Sequence, residues 1–106
     1  MSNERLSQKL YECGQRWVAA RRLAYMLKEA KSARFAQMVN QFLVEDMPVN
    51  RAEHQVRASP EWFKYLENMV EADADENLAW LQVETIKMRN GEKQSEEATA
   101  RAEMRL

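Results

Sequence analysis

Apolar residues in the first part of the chain follow one repeating pattern. Leu6, Leu10, Cys13, Trp17, Ala20, Ala24 and Leu27 are separated by alternating steps of four and three, which lines them up along one face of a helix. Leu23, Met26 and Ala30 widen the stripe to the breadth expected of a bundle helix. Phe35, Met38, Val39, Phe42 and Leu43 continue it, and Glu45-Asp46-Met47-Pro48 ends it. The spacing is compatible with a bend at Ser32 or with one long helix through it. Gly14 lies inside the stripe, where glycine costs up to about 1 kcal/mol relative to alanine. A close crossing by another helix and simple tolerance both account for it.

The clearest boundary is Ser59-Pro60-Glu61. Serine supplies an N-cap oxygen, proline fits the first helical position, and glutamate suits the positive end of the helix dipole. No glycine or proline then interrupts the chain up to Arg89, so a helix of about 45 Å is predicted. A compact domain of this size has a radius of gyration near 13 Å, so a rod of that length implies an elongated shape. Its apolar positions form two groups, Trp62, Leu66, Met69 and Val70, then Leu78, Leu81 and Met88 with Ala74 and Thr85 between. Lys87, Arg89 and Asn90-Gly91 read as a C-terminal cap. Ser95-Glu96-Glu97 then starts a short helix with few apolar residues, Ala98, Ala102, Met104 and Leu106.

This gives one domain in four parts: a basic helical segment 1–46, a connection 47–59 with a short helix from Asn50 to Arg57, a long acidic helix 60–89, and a short helix or tail 90–106. With two glycines and two prolines in 106 residues, the chain lacks the punctuation that sheets need, and an all-α fold is predicted. The expected arrangement is two long antiparallel helices plus short ones. A lone hairpin buries too little apolar area to offset about 1.5 kcal/mol of ordering entropy per residue. Homodimerisation is therefore expected to complete an elongated bundle, with Trp17, Trp62, Leu78, Trp80 and Leu81 lining the core or subunit interface.

Charge is unevenly distributed beneath a net value of −1. Residues 1–34 carry eight basic side chains against three acids, and residues 35–86 carry three against ten. The basic first segment can pair with the acidic later one or offer a face to phosphate. Arg21, Arg22, Lys28 and Lys31 are the candidate nucleic-acid contacts, with Tyr11, Trp17 and Tyr25 interleaved as stacking groups. Against this, Trp17 belongs to the apolar stripe and the chain is not basic as a whole.

Other chemistry is sparse. Glu71, Asp73, Asp75 and Glu76 could contribute to a divalent-metal site only if another helix supplied further ligands; a solvated helix face explains the same run. Cys13 and His54 are the only cysteine and histidine, too few for a zinc cluster. Cys13 lies on the apolar stripe, where a packed thiol is the simpler reading. No catalytic, cofactor-binding or metal residues are assigned. The first residues lack the apolar core of a signal peptide, and no stretch nears the roughly 18 apolar residues of a membrane span. A cytoplasmic location is expected.

Residues from Ser59 onward carry a resemblance. Glu61-Trp62-Phe63-Lys64-Tyr65-Leu66, Met69-Val70-Glu71-Ala72, Glu76-Asn77, Lys87-Met88-Arg89 and Glu97-Ala98-Thr99-Ala100-Arg101-Ala102-Glu103-Met104 are similar to segments of small, mostly uncharacterised helical proteins of tailed phages and prophages. Some of those accompany recombination or replication genes. Asn90-Gly91 departs from the continuous helix that the resemblance implies. The resemblance implies a phage accessory protein and carries over no functional residue; with no catalytic motif in the chain, the expected function is binding to another protein, within a phage recombination or replication system in the bacterial host cytoplasm. The alternatives are DNA binding through the basic first helix and metal-dependent catalysis at 71–76.

Overall fold

The computed structural model describes residues 2–43 and 46–105. Met1, Val44, Glu45 and Leu106, which belong to the predicted terminal segments and to the stop before Pro48, lie outside the described residues. Among the described residues the fold is all-α, with three helices in succession: α1 (Ser2–Phe42), α2 (Val49–Arg57) and α3 (Pro60–Arg105). The molecule is a rod of 88 × 17 × 17 Å with a radius of gyration of 23.8 Å, well beyond the roughly 13 Å of a compact domain. No helix among the described residues is long and apolar enough to cross a membrane.

Ser32 causes no break, and α1 is one helix of 41 residues. Its inner face is the stripe of alternating steps: Cys13 and Ala24 are buried, and Leu6, Leu10, Trp17, Ala20 and Leu27 are half-buried. Leu23, Met26 and Ala30, expected to widen that face, are exposed instead. A single neighbouring helix covers only a narrow seam.

The turn from α2 into α3 follows the predicted cap. The Trp62 backbone N–H donates to Ser59 Oγ at 3.3 Å, and that hydroxyl donates to the Val56 carbonyl at 2.6 Å. One buried serine thus ends α2 and begins α3, so few angles remain between them. Asp46, in the preceding connection, has φ 65°, a left-handed conformation that aspartate tolerates better than most residues.

The largest core lies at this end of the rod. Met38, Val39, Ala52, Val56 and Trp62 are buried together, with Phe35, Phe42, Met47, Tyr65 and Leu66 packed around them. Phe35 meets Trp62 edge-on at 5.1 Å between centroids, and Tyr65 stacks parallel to Trp62 at 5.5 Å. The Tyr65 hydroxyl donates across to the Leu27 carbonyl of α1. Farther along the rod Trp17 meets Trp80, and Lys28 meets Asp73. Partners of α1 therefore fall later in α3 as the α1 position moves toward its N-terminus.

Two predicted features of α3 differ from what is found. The expected stop at Asn90-Gly91 is absent, and α3 runs on to Arg105 for 46 residues. Gly91 does not adopt positive φ, so no left-handed cap forms. One glycine costs a helix only about 1 kcal/mol, and the Glu, Lys and Gln residues beyond it continue the helix readily. Residues 98–105 are exposed throughout. The second difference is the face α3 buries: Ala72, Ala79 and Val83 point inward, whereas Val70, Leu78, Leu81 and Met88 are exposed.

Three substitutions test this account in thermal or urea unfolding. Trp62→Ala should cost about 3–5 kcal/mol, as for large aromatic deletions from a core, and Ser59→Ala about 1 kcal/mol through loss of the cap. Gly91→Ala should stabilise by roughly 0.5–1 kcal/mol, because a Cβ there meets no atom within 4 Å. A neutral Trp62→Ala would contradict the core assignment.

Candidate interaction surface

Successive helix residues turn by about 100°, so Ala72, Ala79 and Val83, all buried, fall within about 40° of one another and turn toward α1, roughly 60–100° around the helix from Trp62. The opposite side of α3 then carries Phe63, Val70, Leu78, Leu81 and Met88, each more than half exposed. These five fall within about 80° of one another around the helix. Glu67 and Glu92 fall within the stripe and Glu71, Glu84 and Arg89 beside it, so it is an apolar row with a mostly acidic border.

The five residues predicted as core or interface divide into three groups. Trp62 is buried within its own chain. Trp17 and Trp80 form a tilted pair with centroids 4.8 Å apart and an interplanar angle of 47°. Trp80 stays 41% exposed, so the pair forms part of the surface. Leu78 and Leu81 do not join either group and stand on the outer stripe of α3.

A shallow open groove lies beside the tryptophan pair. Leu10, Gly14, Trp17 and Val18 of α1 and Trp80 and Lys87 of α3 contribute to its walls. Two cations flank the rings: Arg21 sits over Trp17 at 5.4 Å and Lys87 over Trp80 at 5.3 Å from the centroid. Both contacts are at an open surface, where each contributes about 0.5–1 kcal/mol.

The four basic candidates are dispersed around α1. Lys28 Nζ lies 3.9 Å from Asp73 Oδ1, with both side chains more than half exposed. Such an exposed pair contributes roughly 0–1 kcal/mol. Arg21 rests on Trp17, Arg22 borders the groove, and Lys31 borders a second depression with Phe35 and Trp62. Arg21 and Lys28 are seven residues apart and share a flank, whereas Arg22 points about 100° away from Arg21. Among the described residues the other ion pair is Lys87 with Glu84, within α3.

The acidic run does not converge. Glu71, Asp73 and Asp75 are exposed and Glu76 is half-buried. No group of three or more His, Cys, Asp or Glu among the described residues is placed to hold a metal ion. Cys13 is buried on the inner face of α1, and His54 is exposed on α2; nothing brings the two together. No protein-family model, characterised protein or solved structure matches the chain significantly.

The outer stripe went unrecognised from sequence because its members resemble core residues. The signal that separates them is angular: Ala72, Ala79 and Val83 fall within about 40° of one another, on the side of the helix roughly opposite Leu81 and Met88. Lys28→Ala should change unfolding free energy by no more than about 1 kcal/mol. A loss of several kcal/mol in urea titration would mean that the Lys28–Asp73 contact holds the two helices together.

Proposed function

We propose that this chain is a non-catalytic accessory protein that works by holding another protein against the outer face of α3. The observation that carries the reading is the row Phe63, Val70, Leu78, Leu81 and Met88, exposed on one side of a single helix. Contiguous apolar surface of that kind marks interaction sites, whereas scattered single residues do not. Its geometry suits an amphipathic helix laid alongside. The acidic margin favours a partner whose apolar stripe is bordered by Lys or Arg. The resemblance to phage and prophage helical proteins supports a role within a recombination or replication system in the bacterial cytoplasm.

In the same reading the long helices form an antiparallel pair that homodimerisation completes. The contacts of Trp17 with Trp80 and of Phe35 with Trp62 support the antiparallel sense. The thin seam of Cys13, Ala24, Ala72, Ala79 and Val83 supports the need for a second copy, since such small side chains bury little apolar area between them.

A second reading, direct DNA binding, is favoured by one observation. Arg21 and Arg22 are exposed and make no ion pair among the described residues. It predicts binding that weakens steeply with salt and is lost in the Arg21→Ala/Arg22→Ala double variant. Fluorescence anisotropy with labelled single- and double-stranded DNA decides it.

The leading reading is tested by comparing the proteins that co-purify from host extract with wild type and with Leu78→Glu/Leu81→Glu. Both positions are exposed, so stability should change by no more than about 0.5 kcal/mol per site while partner recovery is lost. Recovery of the same partners by the double variant would rule out the α3 stripe as their binding face.

A further inference from the structure

We propose that the groove beside the Trp17–Trp80 pair seats an amphipathic helix of another protein whose apolar stripe is bordered by Asp and Glu. This docking face is separate from the outer stripe of α3, since Trp80 and Leu81 point about 100° apart around that helix. Shape, charge and extent each point to that occupant.

The shape begins at Gly14. Around α1 it lies between Trp17 on one side and Tyr11 and Val18 on the other, each within about 60°. Its missing side chain leaves the floor of the groove low between two apolar walls. A Cβ built there meets no atom within 4 Å, and Gly14 does not adopt positive φ. Neither crowding nor a turn therefore accounts for a glycine inside a 41-residue helix. Such a gap lets the side chains of an incoming helix approach the backbone closely. Tyr11, Val18 and Met26, which line the groove, are each more than half exposed. A wall of that kind takes Leu, Ile or Phe side chains, whereas a run of nucleotides needs a track of cations beside the rings.

The charged side chains at the groove are all basic. Arg22 and Lys87 line it, and Arg21 stands over Trp17. Lys87 is met by Glu84 of its own helix at 3.5 Å, and Asp73, the acid on this flank, is held by Lys28. Arg21 and Arg22 are exposed and make no ion pair among the described residues. They point about 100° apart, so Arg21 borders the tryptophan wall and Arg22 the wall of Val18 and Met26. A helix with acids along both edges of its apolar stripe would meet one guanidinium on each side. A basic-edged helix, or a second copy of this same face, would set like charges together.

From Leu10 to Met26 the groove follows α1 for about 24 Å, the length of a helix of about 16 residues. A small ligand needs a concave pocket that encloses most of its surface. A shallow groove open along its length suits an element laid along it instead. With the acid-bordered stripe of α3, the rod then presents two docking faces of opposite charge, able to hold two different helices at once.

The test is a titration of the full chain with two labelled synthetic helices of about 18 residues, followed by anisotropy and by tryptophan emission. Both helices carry the same leucine stripe, bordered by glutamate in one and by lysine in the other. The glutamate-bordered helix should bind, shift tryptophan emission and weaken as salt rises. Arg22→Glu, at an exposed position, and Gly14→Leu, which fills the floor with a good helix former, should each lower its affinity about tenfold or more. Circular dichroism should show helical content retained in both. In Leu78→Glu/Leu81→Glu, where the outer stripe of α3 is blocked, the glutamate-bordered helix should bind as it does to wild type. The lysine-bordered helix should bind that variant at least about tenfold more weakly. Failure of the groove is thereby distinguished from failure of the α3 stripe. Undiminished binding in Arg22→Glu and Gly14→Leu, or equal affinity of the blocked variant for the two helices, would overturn the proposal. So would a labelled single-stranded oligonucleotide that binds wild type and is lost in Arg22→Glu while the glutamate-bordered helix does not bind, which would give the groove to nucleic acid.

Discussion

The packing of Trp62 is the constraint on which the rest of this structure depends. Ser59 closes α2 and opens α3 within a single residue, which delivers Trp62 into the cluster of Met38, Val39, Ala52 and Val56. Phe35 and Tyr65 then hold its ring from two sides, and the Tyr65 hydroxyl bonds to the backbone of α1. A helix is stiff, so a rotation set at one end persists along its length. The burial of that indole constrains the faces that α3 presents over the following turns, and the contacts of Trp80 with Trp17 and of Asp73 with Lys28 lie farther along the same helix.

The consequence is an uneven rod. At the α2 end large side chains interlock, and a deletion there creates a cavity. Toward the N-terminus of α1 the fully buried seam residues are Cys13, Ala24, Ala72, Ala79 and Val83, with Leu6, Leu10 and Leu27 half-buried beside them and the partly exposed pair of Trp17 and Trp80. Small residues let two helices approach closely, but they remove little apolar surface from water. The bulky side chains that would ordinarily add burial, Leu78, Leu81 and Met88, lie on the other side of α3. Large-side-chain packing is concentrated at one end, and the exposed apolar side chains are spread along the other faces.

Much of the helix layout could be read from residue spacing, while the site could not. Alternating steps of four and three from Leu6 to Leu27 mark the inner face of α1 because apolar residues recur there at regular helical spacing. The Ser59-Pro60 start of α3 was equally readable, since its cap depends on local chemistry alone. Asn90-Gly91 misled because a capping sequence terminates a helix only when glycine turns left-handed, and here it does not. On α3 the bulky residues drew attention away from Ala72 and Ala79, whose small size gives a weak pattern despite their burial.

What the sequence determined by itself is the choice of helix, the start of α3 and the polarity of charge along the chain. These arise from backbone propensity, capping and composition, all local properties. Tertiary structure decided which side of each helix is buried, because that depends on the rotational phase passed from Trp62 through a rigid element. It also decided that Trp17 and Trp80, 63 positions apart, share one surface beside Gly14. No local rule couples residues so distant; only the return of the chain through α2 brings them together.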